Sequence, residues 1–108
     1  MVEPKLTMAE ALQELRDVLF AVVTTGPTHR DLAVRYMRSR AALMESELKP
    51  LVPGFIVQCS SIGKFHDFIT LYHPHKEARI AFFDEALDPC WTRLNMSRVS
   101  DVFGESDF

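Results

Sequence analysis

The stretch PGFIVQCSSIGKFHDFITLYHPHKEARIAFF, residues 53–83, decides how this chain folds. Phe55, Ile56, Phe65, Phe68, Ile69, Tyr72, Phe82 and Phe83 recur in it at helix-like intervals. Ser60 or Ser61 can cap a helix in which Ile62, Phe65, Ile69 and Tyr72 form one stripe with Phe68 beside it, and His73-Pro74-His75 should terminate that helix. A further helix is expected from about Lys76, with Ala78 or Arg79 outward and Phe82, Phe83, Ala86 and Leu87 inward, until Pro89 interrupts; Cys90–Leu94 would add one turn. Phe55-Ile56-Val57 has the composition of a strand but no second β-rich run to pair with, so its backbone hydrogen bonds point to a helical turn packed into the core.

Working toward the N-terminus, Pro50 and Pro53-Gly54 mark a tight connection rather than an interdomain linker. Before it, Thr7 and Glu10 make a capping box that opens a first helix, whose inner stripe is Leu12, Leu15, Leu19, Val22 and Val23. Gly26-Pro27 ends it, and Thr28, with Asp31 three positions on, is the expected N-cap of a second helix running to about Leu48. Leu32, Tyr36, Met37, Leu43, Met44 and Leu48 should face inward, and the Gly-Pro hinge folds the two helices into an αα-hairpin. Toward the C-terminus the composition shifts at Asn95 to Ser, Asp, Glu and Gly, which predicts a largely disordered acidic tail over 95–108 carrying Val102, Phe103 and Phe108. The expectation is an all-α protein: a compact four-helix bundle over residues 1–94, built on the N-terminal hairpin, with provision for a fifth short helix.

The chain's 108 residues suffice for one domain. Twelve Lys plus Arg against fifteen Asp plus Glu give a net charge of −3, so no global field favours nucleic acid. The start, MVEPKLTMAEALQELRD, lacks the basic opening and unbroken apolar run of a secretory signal, and no purely apolar run, the stretch through Leu19–Val23 included, nears the length of a membrane span. Cys59 and Cys90 have no CxxC or CxxH neighbour; reduced thiols and a cytoplasmic location are expected, with no membrane contact.

No residue pattern calls for catalysis. The pair His73-x-His75, even joined by Cys59 or Cys90, has a proline between its members and lacks the second close pair of a structural zinc site, so neither a metal nor another cofactor is expected. His66 and Asp67, being adjacent, would point about 100° apart on a helix. Ser60 and Ser61 lack a nucleophile turn and are explained by capping. Arg30, Arg35, Arg38 and Arg40 make the second helix basic; Arg35 and Arg38 share a face, and with Lys64 they form the candidate nucleic-acid surface, although Glu45 and Glu47 follow and arginine stems often cover apolar helix surface.

The aromatic residues are simplest as core, yet they are too many for a unit of this size to enclose. Phe20, Phe68 and Trp91 fall just off the main stripes and are the candidates for contact with a protein partner or a second copy. Arg79, set between apolar positions, is the candidate charged contact across such an interface.

Pro53, Phe55, Cys59, Phe65, Phe68 and Ile69, followed by Arg79 and Phe83, resemble a short helical module of bacterial anti-phage and abortive-infection proteins, over about a third of the chain. There a Leu-Pro-aromatic entry, a cysteine, a Phe-x-x-Phe-Ile helix and an Arg-x-x-Phe helix recur beside effector domains; no effector domain is expected within these 108 residues. The resemblance implies an adaptor or regulatory role in a defence system. The expected function is therefore non-enzymatic protein–protein interaction, with a small nucleic-acid-binding regulator as the alternative.

Overall fold

The computed structural model describes residues 6–28 and 30–106, with side chains as far as Leu94. Thr7 closes the expected capping box: its hydroxyl accepts from the Glu10 N–H at 3.1 Å, and the Glu10 carboxylate accepts from the Thr7 N–H at 2.9 Å. The helix so opened, α1 (Met8–Thr25), buries Ala11, Leu12, Leu15, Val18, Leu19 and Val22. That wide apolar face lets it pack against α2 (Arg30–Met44), α4 (Ile62–Tyr72) and α5 (Lys76–Ser106), which makes α1 the central element. Gly26 ends α1 with φ 95°, and its N–H donates to the Val22 carbonyl at 2.8 Å.

α2 begins with the expected Asp31 in its first turn; residue 29, ahead of it, lies outside the described residues. The helix stops at Met44 rather than near Leu48. Ser46 is the cause, because its hydroxyl donates to the Leu43 carbonyl at 2.8 Å and accepts from the Leu48 N–H at 3.1 Å, replacing helical bonds with a turn. Leu48 is still carried into the core, and a 3-10 turn at Lys49–Leu51 leads to the short helix α3 (Gly54–Gln58), the predicted helical turn, which buries Ile56. Met37 is a correction: half its surface (50%) is exposed, and the inward face is Leu32, Tyr36, Ser39 and Leu43. Ser39 can lie fully buried because its hydroxyl donates to its own helix, at Arg35 O (2.8 Å) and Tyr36 O (3.2 Å).

Ser61 is the cap of α4, accepting from the Lys64 N–H at 3.2 Å, and Ile62, Phe65 and Ile69 are its buried stripe. Tyr72 leaves that stripe and points to solvent, since α4 ends there and no described element lies beyond to enclose it. α5 then overrides the expected stop at Pro89. Phe83, Leu87 and Cys90 are fully buried at intervals of four and three residues, a register that passes straight through the proline. Pro89 sits on the exposed face with Glu85 and Asp88, so the Glu85 carbonyl that loses its N–H partner lies on the watered side. Cys90–Leu94 is thus part of α5, and the helical backbone continues through 95–106, the segment whose composition pointed to a tail; the side chains of Val102 and Phe103, and Phe108 altogether, lie outside the described residues. The fold is an all-α bundle, with no strand among the described residues.

Candidate functional site

The largest aromatic side chains of the segment 53–83 assemble where α3, α4 and α5 meet. Phe65, fully enclosed, forms the floor, and Phe55 leans on it with ring centroids 6.0 Å apart. Above it Phe55 and Phe68 stack at 5.5 Å with planes 5° apart, and Phe82 from α5 closes on them at 5.1 and 5.9 Å. The His73 ring lies 4.4 Å from Phe82, and Tyr72 lies 5.0 Å from Phe68. Exposure rises outward: Phe55, Phe68 and Phe82 are half-buried, Tyr72 is 63% exposed, and Leu71 beside it is 75% exposed. Lys64, Phe68, Leu71 and Tyr72, at steps of four, three and one, share one side of α4, so the surface has an apolar edge with a cation at its start.

Local geometry explains why the rim stays uncovered. The proline in His73-Pro74-His75 cannot continue α4, and the chain must reverse into α5 within four residues. Arg79 holds that reversal. Its Nε donates to the His73 carbonyl and its Nη2 to the Pro74 carbonyl at 3.2 Å, so two acceptors beyond the helix end are satisfied from the first turns of α5. The guanidinium is therefore engaged by the turn beside the aromatic face.

The other candidates lie elsewhere. Phe20, 38% exposed, is covered by the Arg16 guanidinium at 5.0 Å, which also grips Asp84 of α5 at 3.1 and 3.2 Å. Trp91 borders an open cleft of about 510 Å³ with Leu6, Glu10, Glu14, Asp17 and Arg35. Of the four proposed partner contacts, only Phe68 belongs to the aromatic surface; Phe20 and Trp91 are on other parts of the bundle.

Arg35 and Arg38 do come together, but on Glu14: Arg35 Nε donates at 3.2 Å, Arg38 Nη2 at 2.6 Å and Arg38 Nε at 3.2 Å. Burial pushes the Glu14 carboxyl up, yet the hydrogen bonds and charges of Arg38 and Arg35 together outweigh it and hold the group below its ordinary value. Arg40 donates to the Ile56 and Val57 carbonyls at 2.9 and 2.8 Å, capping α3. Lys64 reaches Ser60 Oγ at 3.2 Å, a different partner from the carboxylate that gathers Arg35 and Arg38.

Among the described residues, reactive groups are not brought together. Burial pushes the Cys59 thiol up against the weaker pull of Lys64 and Arg40, and burial likewise raises Cys90, so both favour the protonated form that is neither nucleophile nor metal ligand. His66 Nδ1 stands 4.0 Å from Asp67 Oδ1, beyond a hydrogen bond, and among the described residues no three His, Cys, Asp or Glu side chains converge. No described helix is long and apolar enough to cross a membrane. Leu71 was missed by sequence reading, although a signal exists: α4 has apolar residues at 62, 65, 68, 69, 71 and 72, more than one buried stripe can use. The chain matches no protein family, no curated protein and no solved structure.

Proposed function

We propose that this chain is a non-enzymatic protein–protein interaction module that docks its partner on the aromatic surface of α3, α4 and α5. The observation that carries this reading is the graded exposure from Phe65 to Phe68 to Tyr72 and Leu71. A stacked, half-buried aromatic base under an exposed apolar rim gives a partner rigid rings to bury at small entropic cost, the pattern of an interaction hot spot. The nucleic-acid alternative has less support, because phosphate would have to compete with Glu14 for Arg35 and Arg38. The adaptor role in a bacterial defence system rests on the sequence resemblance of the same segment and directs attention to effector proteins as partners in the cytoplasm.

The test compares the wild type with the double variant Leu71→Ser/Tyr72→Ser as baits in the cells that make the protein, followed by titration calorimetry with any purified partner. The variant should keep the wild-type circular dichroism and melting temperature, since both side chains are mostly in water, while its partner affinity drops at least tenfold, or about 1.4 kcal/mol. Equal affinity of the two baits for the same partner would refute the assignment of the surface.

A further inference from the structure

The second helix is apolar on both sides. Leu32, Tyr36 and Leu43 face the core, while Val34 (59% exposed), Met37 (50% exposed) and Ala41 line the opposite side in open solvent. The steps of three and four between them make one straight stripe along the helix. Charges close the stripe at its two ends with opposite signs. Arg30 stands at the first turn, and Glu45 stands one turn past Ala41, held on the helix by its N–H bond to the Ala41 carbonyl at 3.0 Å. Both side chains are exposed.

We propose that this outer face of α2 is a homodimer interface, in which the α2 helices of two copies pair antiparallel about a two-fold axis passing between Met37 and Arg38. A two-fold axis there sends position i to position 75 − i of the second copy, a relation that follows from the numbering alone. It sets Arg30 against Glu45, Val34 against Ala41, and Met37 against the aliphatic stem of Arg38. Each contact occurs twice. The branched Val34 meets the small Ala41, which permits close helix approach, and the end charges are complementary only in this orientation, since a parallel pairing would oppose Arg30 to Arg30 and Glu45 to Glu45. The helix from Arg30 to Glu45 is about 22 Å long, so the stripe alone gives a small interface and a dimer of micromolar strength. The surface is separate from the aromatic face of α3, α4 and α5, and the two readings stand or fall independently.

Sedimentation velocity of the full chain from about 1 µM to about 1 mM should show a monomer–dimer equilibrium. Met37→Lys puts two cations at the axis and should leave a monomer throughout the range, with unchanged circular dichroism. Arg30→Glu and Glu45→Arg should each weaken the dimer about tenfold by opposing like charges twice, and the double exchange Arg30→Glu/Glu45→Arg should restore it. A wild type that stays monomeric throughout, a dimer that survives Met37→Lys, charge reversals that do not rescue each other, or a dimer lost in Leu71→Ser/Tyr72→Ser would each overturn the proposal.

Discussion

The Tyr36 hydroxyl, enclosed in the core, donates to the main-chain carbonyl of Cys59. One side chain thereby joins the α1–α2 hairpin to the junction between α3 and α4, from which the aromatic surface is built. Cys59 is the residue just past α3, and its carbonyl accepts from Tyr36 where a helical N–H would otherwise have served.

Tyr36→Phe preserves the ring and strands that carbonyl, so it should cost about 1–3 kcal/mol in urea-induced unfolding. It also changes the alkaline limb. Burial, with a smaller push from Cys59 against the pull of Arg40, holds the Tyr36 phenol well above its usual value. A raised folded value means the contribution is complete below the unfolded phenol's titration, near pH ~10, and is lost as pH rises through the folded one. Wild-type stability should therefore fall above that point, and the Tyr36→Phe curve should be flatter; identical alkaline slopes would remove the argument.

Glu14 makes the acid limb sensitive in the opposite direction. Its carboxyl is held below the ordinary value by Arg38 and Arg35 in spite of burial, so its contribution is present above the unfolded titration near pH ~4.3 and disappears as pH falls through the lower folded value. Glu14→Gln should lower stability by about 1 kcal/mol at neutral pH and should converge on the wild type as pH falls through the lowered folded value in acid-dependent thermal melts. Since Arg35 and Arg38 are both partners, either single arginine substitution should recover only part of that loss in a double-mutant cycle.

Two glycines should respond with opposite signs to the same substitution. Gly26 has φ 95° and ψ 169°, a region closed to L side chains, although a Cβ there would meet no atom within 4 Å. Gly26→Ala should cost about 1–3 kcal/mol from backbone strain alone. Gly63 is inside the first turn of α4, and a Cβ there comes only to ordinary contact, 3.8 Å from Ser61 Oγ. Gly63→Ala should raise stability by about 0.5–1 kcal/mol through helix propensity. Thermal melts of the two variants should move in opposite directions.

Much of the fold was readable because it is written in short-range chemistry. The Thr7–Glu10 box, the Gly26 stop, the Ser61 cap and the His73-Pro74-His75 break each involve residues within four positions of one another, and each falls where expected. The misread points depend on distant partners or on which side of a helix faces water. The stop that Pro89 predicts rests on its lost N–H, a local fact, whereas the exposed side of α5 on which Pro89 and Glu85 lie is set by how the helix packs on α1. Ser46 ends α2 through two bonds that a propensity scale does not anticipate. Met37 and Tyr72 continue apolar stripes and still point outward, because no described element lies there to receive them. At the candidate site, the surplus of aromatic residues is visible in the composition, and Phe68, which the spacing puts just off the buried stripe, lies half-buried against Phe55 and Phe82. The contact made by Arg79 is not legible in its neighbours, since nothing there announces that its guanidinium reaches back to the carbonyls of His73 and Pro74.

The conformation of Gly26 has a stereochemical corollary. At that residue the backbone takes angles native to the mirror-image series, so at the reversal between the first two helices the handedness of ordinary amino acids works against the fold. A D-alanine introduced there by chemical ligation fits the same angles without strain and narrows the unfolded ensemble; where the L-enantiomer weakens the protein, its reflection should strengthen it.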